Sequence, residues 1–329
     1  GRAGEQGDAE EEGQTMLFPM YVLPVDKFLQ MAEIKTHEEL RAGGDIVEFE
    51  KSMGQAAFIS HQWVEEDHPD PEGAQLRVLQ NVLRTWRVKS AYIAPDIRTS
   101  TLFPTAKGIS SKELFSMALF LWYDFFSCPQ RSGSEQEKAV DSIPSYVTAC
   151  RFFFVLFPLV QSPDGSKLFT PSSWADRGWC RLERTVREFS MNHSYFVVKS
   201  EFCVELVESQ LLSLGAPPGE GMFSVPADRT KLAPVLVATF KRSLADCLRA
   251  HDLVRYRVVL NLQSRYLRGF DAVPVADMVP GFELSPGADA EPTLLARYFH
   301  QNGFTKVSNV DAAGCSPLIY AAINGDPKL

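Results

Sequence analysis

Glu183 is the residue of this 329-residue chain whose type and setting point most directly to chemistry. It closes the run Trp179, Cys180, Arg181, Leu182, Glu183. If that run opens a helix, Trp179, Leu182, Val186 and Phe189 share one apolar face. At about 100° per residue, Glu183 then falls roughly 40° from Trp179, on the margin of that face. Arg181, Arg184 and Arg187 take the other side. A carboxylate at a core margin is costly unless it is paired or lines a pocket. Two readings follow. Either Glu183 pairs with Arg187 at the favourable i,i+4 spacing on the helix surface, or it faces a cleft. Pockets of parallel α/β sheets form beyond the carboxyl ends of the strands. His61, Gln62 and Trp63 follow one predicted strand and Asp124 ends another, so these four are the candidate cofactor- or ligand-binding residues on the same rim. Asp124 has a second reading as a loop cap.

Other chemistries fit less well. His61, Asp67, His68 and Asp70 invite a metal reading, but their spacing matches no dedicated metal motif, and the expectation is no metal. Ser60 ends a strand without the G-x-S-x-G elbow of a nucleophilic serine. No phosphate-binding G-x-x-x-x-G-K-[ST] loop occurs. Trp179 and Cys180 read as packing residues.

The elements that would position these groups alternate in type. Residues 56–60 (A-A-F-I-S) form the first strong strand, and a polar loop runs over 61–73. Residues 74–88 carry Leu76, Leu79, Val82, Leu83 and Trp86 at helical offsets. A short strand is expected at 90–93, an aromatic-rich segment at 114–126, and a helix interrupted near Pro144 at 135–150. Residues 151–160 are almost continuously apolar, as strands buried on both faces are. A helix over 179–189 and a strand over 194–198 follow. Strands alternating with helices predict an α/β domain with a mainly parallel, flavodoxin-like sheet over residues 50–205.

Around it, residues 1–15 form an acidic tail with too little apolar surface to order itself. Residues 16–49 read as an extended strap, a short helix over 26–34, and a capping box opening at Thr36. Residues 206–290 form a helical region, centred on 232–266, with a Pro/Gly linker over 273–292. The last unit spans 291–329.

Composition limits the function classes. Net charge is −8, and half of it lies in the first 14 residues, where Glu5, Asp8, Glu10, Glu11 and Glu12 oppose Arg2. Without a basic surface, nucleic acid is not an expected partner. The longest apolar runs, 117–123 and 152–160, are too short to span a bilayer, so no membrane partner is expected. The six cysteines, scattered and without a C-x-x-C pair, read as reduced core residues of a cytoplasmic protein.

Two resemblances sharpen these expectations. Asn309, Val310, Asp311, Ala312, Ala313, Gly314, Cys315, Ser316, Pro317, Leu318 and onward through Ala322 resemble an ankyrin repeat, with Ser316 where Thr is usual and Tyr320 where His is usual. Ser316 is expected to cap the repeat's first helix. A lone repeat cannot bury its own face, so further repeats are expected beyond Leu329, with proteins as their partners. The segments Phe58-Ile59-Ser60-His61, Trp122-Tyr123-Asp124, 152–158 and Trp179-Cys180-Arg181-Leu182-Glu183 resemble, in order, the strand and helix motifs of the TIR family over about 150 residues. The loop after His61 lacks the usual short acidic sequence, with Asp67 nearest, and the insertion 98–111 is atypical. Residues 122–130 also resemble fungal incompatibility (HET) domains, and the combination resembles a protist family fusing such domains to ankyrin repeats. The resemblance implies two functions. One is a signalling scaffold whose TIR-like domain self-associates. The other is an NAD glycohydrolase in which NAD is the substrate, no cofactor is needed, and Glu183 is the catalytic carboxylate supporting cleavage of the nicotinamide–ribose bond.

Overall fold

The computed structural model of the protein describes residues 16–190, 192–208, 214–283 and 290–329. The acidic tail and part of the expected linker lie outside the described residues. Seven strands form the main sheet: β1 (Tyr21–Pro24), β2 (Val47–Glu48), β3 (Gln55–His61), β4 (Leu119–Trp122), β5 (Phe152–Leu156), β6 (Ser194–Ser200) and β7 (Cys203–Glu208), in the order β7-β6-β5-β3-β4-β1-β2. The four central strands run parallel, with Phe58 opposite both Trp122 and Phe153, and Phe196 opposite Phe154. The margins are antiparallel: β7 on β6, β1 on β4, and β2 on β1.

The alternation of side chains along β3 divides the core. Ala56 and Phe58 face one side, Ala57 and Ile59 the other, as the two-residue repeat of a strand requires. Phe58 stacks between Trp122 at 4.3 Å and Phe153 at 5.2 Å, tying three strands together. On the second face lies α2 (Ala74–Val88), which buries Leu76, Leu79, Val82 and Leu83, the residues its periodicity singled out. There too pack Val25, Phe28 and Leu40 from the N-terminal segment and from α1 (His37–Ala42), whose capping box on Thr36 and Glu39 is formed as expected. On the first face lie α3 (Ile143–Ala149) and α4 (Gly178–Phe189). Helices on both faces of a parallel centre make this an α/β fold of flavodoxin-like form.

Three expectations are corrected. The strap is not separate from the sheet, because β1 pairs with β4. The domain edge at 205 falls inside β7, which continues to Glu208. The expected helix over 26–34 is a single turn, Val25–Phe28. The insertion at 98–111 holds a short helix, Ile97–Leu102, and a two-residue ladder in which Tyr92 and Ile93 face Ser110 and Ile109.

The helical region shares the core of the sheet. Phe189 of α4 meets Phe240 of α5 (Asp228–Arg249) at 5.0 Å and Tyr266 of α6 (Leu253–Tyr266) at 4.9 Å. Helix α7 (Ala290–Asn302) and helix α8 (Pro317–Asn324) follow, and α8 packs on α6. Buried Arg257 of α6 donates to the carbonyl of Asn302 at 2.7 Å and pairs with Asp311 at 3.3 Å. Asp311 also accepts from the Tyr320 hydroxyl at 2.6 Å and from the amides of Ala313 and Cys315. Ser316 sits at the N-cap of α8, but its side chain caps nothing; the Asp311 carboxylate organises the turn instead. Among the described residues, no helix is long and apolar enough to cross a membrane.

Candidate functional site

The connections out of the sheet determine where a cleft opens. The chain leaves β3 through α2 towards β4 on one side, and leaves β5 through α4 towards β6 on the other. Two neighbouring parallel strands whose exits diverge leave a crevice at their carboxyl ends. Ser60 and His61 end β3 there, and His61 is paired with Leu156, the last residue of β5.

Glu183 reaches this crevice from the second turn of α4. Its Oε2 accepts a hydrogen bond from Ser60 Oγ at 2.5 Å, and Ser60 Oγ accepts one from Trp174 Nε1 at 3.2 Å. Ser60 and Trp174 are buried, whereas Glu183 is only partly so. Trp174 is held by the short helix Pro171–Asp176, whose capping box on Thr170 and Ser173 fixes its start.

A second network adjoins the first. Asp124 Oδ2 accepts from Trp63 Nε1 at 2.8 Å, and Asp124 Oδ1 lies 3.2 Å from His61 Nε2 without the alignment of a hydrogen bond. The His61 ring stacks on Tyr123 at 3.8 Å, and its Nδ1 lies 3.3 Å from the Ile59 carbonyl oxygen. Both ring nitrogens therefore face acceptors, while a neutral imidazole carries one N–H. Burial pushes the His61 pKa down against the pull of Asp124, so the ring is held neutral. Cys180 of α4 joins the networks by donating from Sγ to the His61 carbonyl at 3.4 Å.

Burial also raises the Glu183 pKa to about 8; Asp124 adds to the rise, while the Ser60 hydrogen bond and Arg177 oppose it. This has a consequence for stability. From its ordinary value of 4.5 up to about 8, the unfolded chain has released a proton that the folded chain keeps. Stability therefore falls as pH rises through that window and levels off above it. Glu183→Gln removes this penalty. The variant is expected to gain roughly 2–3 kcal/mol on the wild type between pH 5 and pH 9, after allowance for the partial exposure of the side chain. Melting curves at the two pH values check it; a difference that does not change with pH would mean that Glu183 ionises like a surface glutamate.

Of the residues singled out in the sequence, Glu183, His61, Trp63 and Asp124 converge on the strand tips. Gln62 does not. It accepts from Ser173 Oγ at 2.8 Å and donates to the Thr170 carbonyl at 3.3 Å, bracing the loop that carries Trp174. Glu183 does not pair with Arg187, whose guanidinium is committed to backbone carbonyls. His68 and Asp70 order their own loop: Asp70 donates its amide to His68 Nδ1 and accepts from the Leu76 amide at 2.7 Å. Among the described residues, no three His, Cys, Asp or Glu side chains are placed to hold a metal ion.

Comparison with known proteins returns no match. No family model, no curated protein and no solved structure corresponds to the chain.

Two of its residues escaped the sequence reading. Trp174 had a signal in the run Thr170, Pro171, Ser172, Ser173, which starts a helix. Arg177 had none. Its guanidinium makes no hydrogen bond or ion pair among the described residues, yet it acts electrostatically on Glu183, His61 and Cys180. A separate open recess of about 500 Å³, lined by Ser264, Arg265, Pro274, Asn324, Gly325 and Asp326, shares no residue with the strand tips.

Proposed function

We propose that the chain is an NAD glycohydrolase of TIR-like type, with Glu183 as the carboxylate that supports cleavage of the nicotinamide–ribose bond. The observation that carries the reading is the placement of Glu183. It is turned onto Ser60 at the crevice between β3 and β5 and away from Arg187. In the reaction, the bond between C1′ of the ribose and the pyridinium nitrogen breaks. Nicotinamide leaves with the bonding pair, and the oxygen of a water molecule joins C1′ while its proton passes to solvent. Positive charge grows on the ribose in the transition state, and a fixed carboxylate beside it lowers that barrier. Glu183 holds its proton to about pH 8 in the free protein. A pyridinium nearby favours the ionised form, so substrate binding is coupled to proton release. Arg177, which precedes α4 and whose guanidinium makes no hydrogen bond or ion pair among the described residues, acts electrostatically on Glu183 and is the candidate cation for the anionic part of such a ligand.

Incubation of the full chain with NAD at high protein concentration, with released nicotinamide measured by chromatography, tests the proposal. Release by the wild type and not by Glu183→Gln is expected. Equal inertness of the two would sink it.

The C-terminal segment favours a second, compatible role. Leu318, Ile319, Val307 and Val310 are exposed on the ankyrin-like turn and helix. An apolar surface of this kind suits protein recognition, as a scaffold uses it, with self-association of the α/β domain as the accompanying proposal.

A further inference from the structure

We propose that Trp174 and Ser60 form a one-way hydrogen-bond relay that distinguishes the two oxygens of Glu183, fixing Oε2 as an acceptor and leaving Oε1 as the oxygen that gains and loses the proton.

The direction follows from donor chemistry. An indole N–H donates and cannot accept. Its 3.2 Å bond to Ser60 Oγ therefore uses a lone pair of the hydroxyl, and the single hydroxyl hydrogen remains for Glu183 Oε2 at 2.5 Å. That length is typical of a hydroxyl donating to a carboxylate. Ser60 is fully buried and Trp174 nearly so, so water does not compete for either bond. Glu183 Oε1 makes no hydrogen bond among the described residues, is not sealed off from solvent, and belongs to a partly exposed residue, so it is the oxygen left open to a ligand. When Glu183 is neutral, its proton sits on Oε1, where it can be given to a ligand or to solvent. When it is ionised, Oε1 is free to accept a ligand hydroxyl or to face a cation, while Oε2 stays anchored.

Several charged or titratable groups surround this carboxyl. Asp124 opens the single helical turn Asp124–Ser127 just after β4, Arg177 precedes α4, Cys180 lies one turn earlier on α4, and Cys128 follows that turn. None of them donates a hydrogen bond to Glu183, so the relay is the only directed hydrogen-bonding influence among the described residues. Ser60 and Trp174 are positioning residues that act through Glu183. Their part in catalysis rests on the glycohydrolase reading, whereas the relay itself does not.

Carbon-13 NMR titration of the Glu183 carboxyl in the full chain reads the relay without any substrate. Ser60→Ala is expected to move the titration midpoint upward by at least about one pH unit, because a charge-assisted bond to the ionised form is lost. Trp174→Phe should move it the same way by less, and Ser60→Thr, which keeps the hydroxyl, should restore the wild-type value. An unchanged midpoint in Ser60→Ala and Trp174→Phe overturns the relay. If Ser60→Ala fails to fold, Trp174→Phe against Ser60→Thr decides: equal midpoints overturn it, and a higher midpoint in Trp174→Phe upholds it. A shifted midpoint in a protein that does not cleave NAD leaves the relay standing and removes the glycohydrolase. Cleavage with an unshifted midpoint does the reverse.

Discussion

Glu183→Gln is expected to lower nicotinamide release from NAD by at least about 100-fold, the loss typical when one electrostatic group aimed at developing charge is removed. The substitution keeps the shape of the side chain, and the amide oxygen can still accept from Ser60 Oγ. What disappears is the negative charge beside the ribose. The fold should persist, since the variant is expected to be the more stable form above neutral pH. The loss is therefore chemical, and circular dichroism of the same sample will separate it from unfolding. In the wild type, kcat/KM should rise with pH towards the Glu183 value of about 8, because the free enzyme must give up a proton to become active. A loss below tenfold, or a rate falling through that range, would show that the charge is not what the reaction uses.

The largest stability effect is expected at Arg187. Its guanidinium is buried and donates to three backbone carbonyls, each at 2.9 Å: Ser194 at the start of β6, and Cys150 and Arg151 just before β5. Burial lowers its pKa to about 10, yet it remains charged at neutral pH. The side chain thus pins the far end of α4 to the entry points of two central strands, and α4 is the helix that presents Glu183. Arg187→Met keeps apolar volume but strands the buried carbonyls. It should cost roughly 3–5 kcal/mol, a large share of the 5–15 kcal/mol that usually separates folded from unfolded chains. Urea denaturation monitored by tryptophan fluorescence measures this. Arg187→Lys, with one point donor for three acceptors, should fall between the two. A cost under about 1 kcal/mol would mean that water already satisfies those carbonyls.

Arg187 also shows where sequence reasoning stopped. Helical spacing correctly made Trp179, Leu182, Val186 and Phe189 one face of α4, because periodicity is local. The same local rule offered Arg187 as the partner of Glu183, and tertiary packing overrode it: three strand-end carbonyls claim the guanidinium. The strands β3, β5 and β6 were legible as apolar runs, and the central parallel sheet followed from their alternation with helices. The margin strands were not. β1 is only four residues long and ends in Pro24, and β7 intersperses acidic with apolar residues across the domain edge expected at 205. His61, Trp63 and Asp124 were legible as strand-end residues. Gln62 lies between two of them in sequence, but it turns to the Thr170 loop. Ser60 was visible but assigned no role, since a serine without a nucleophile elbow gives no hint that a buried indole will orient its hydroxyl.

The most direct measurement of the central claim is a crystal structure of Glu183→Gln grown with NAD. The account predicts the nicotinamide-bearing ribose in the crevice between β3 and β5, within hydrogen-bonding distance of residue 183. A ligand bound elsewhere, or residue 183 facing only the pyrophosphate, would contradict it.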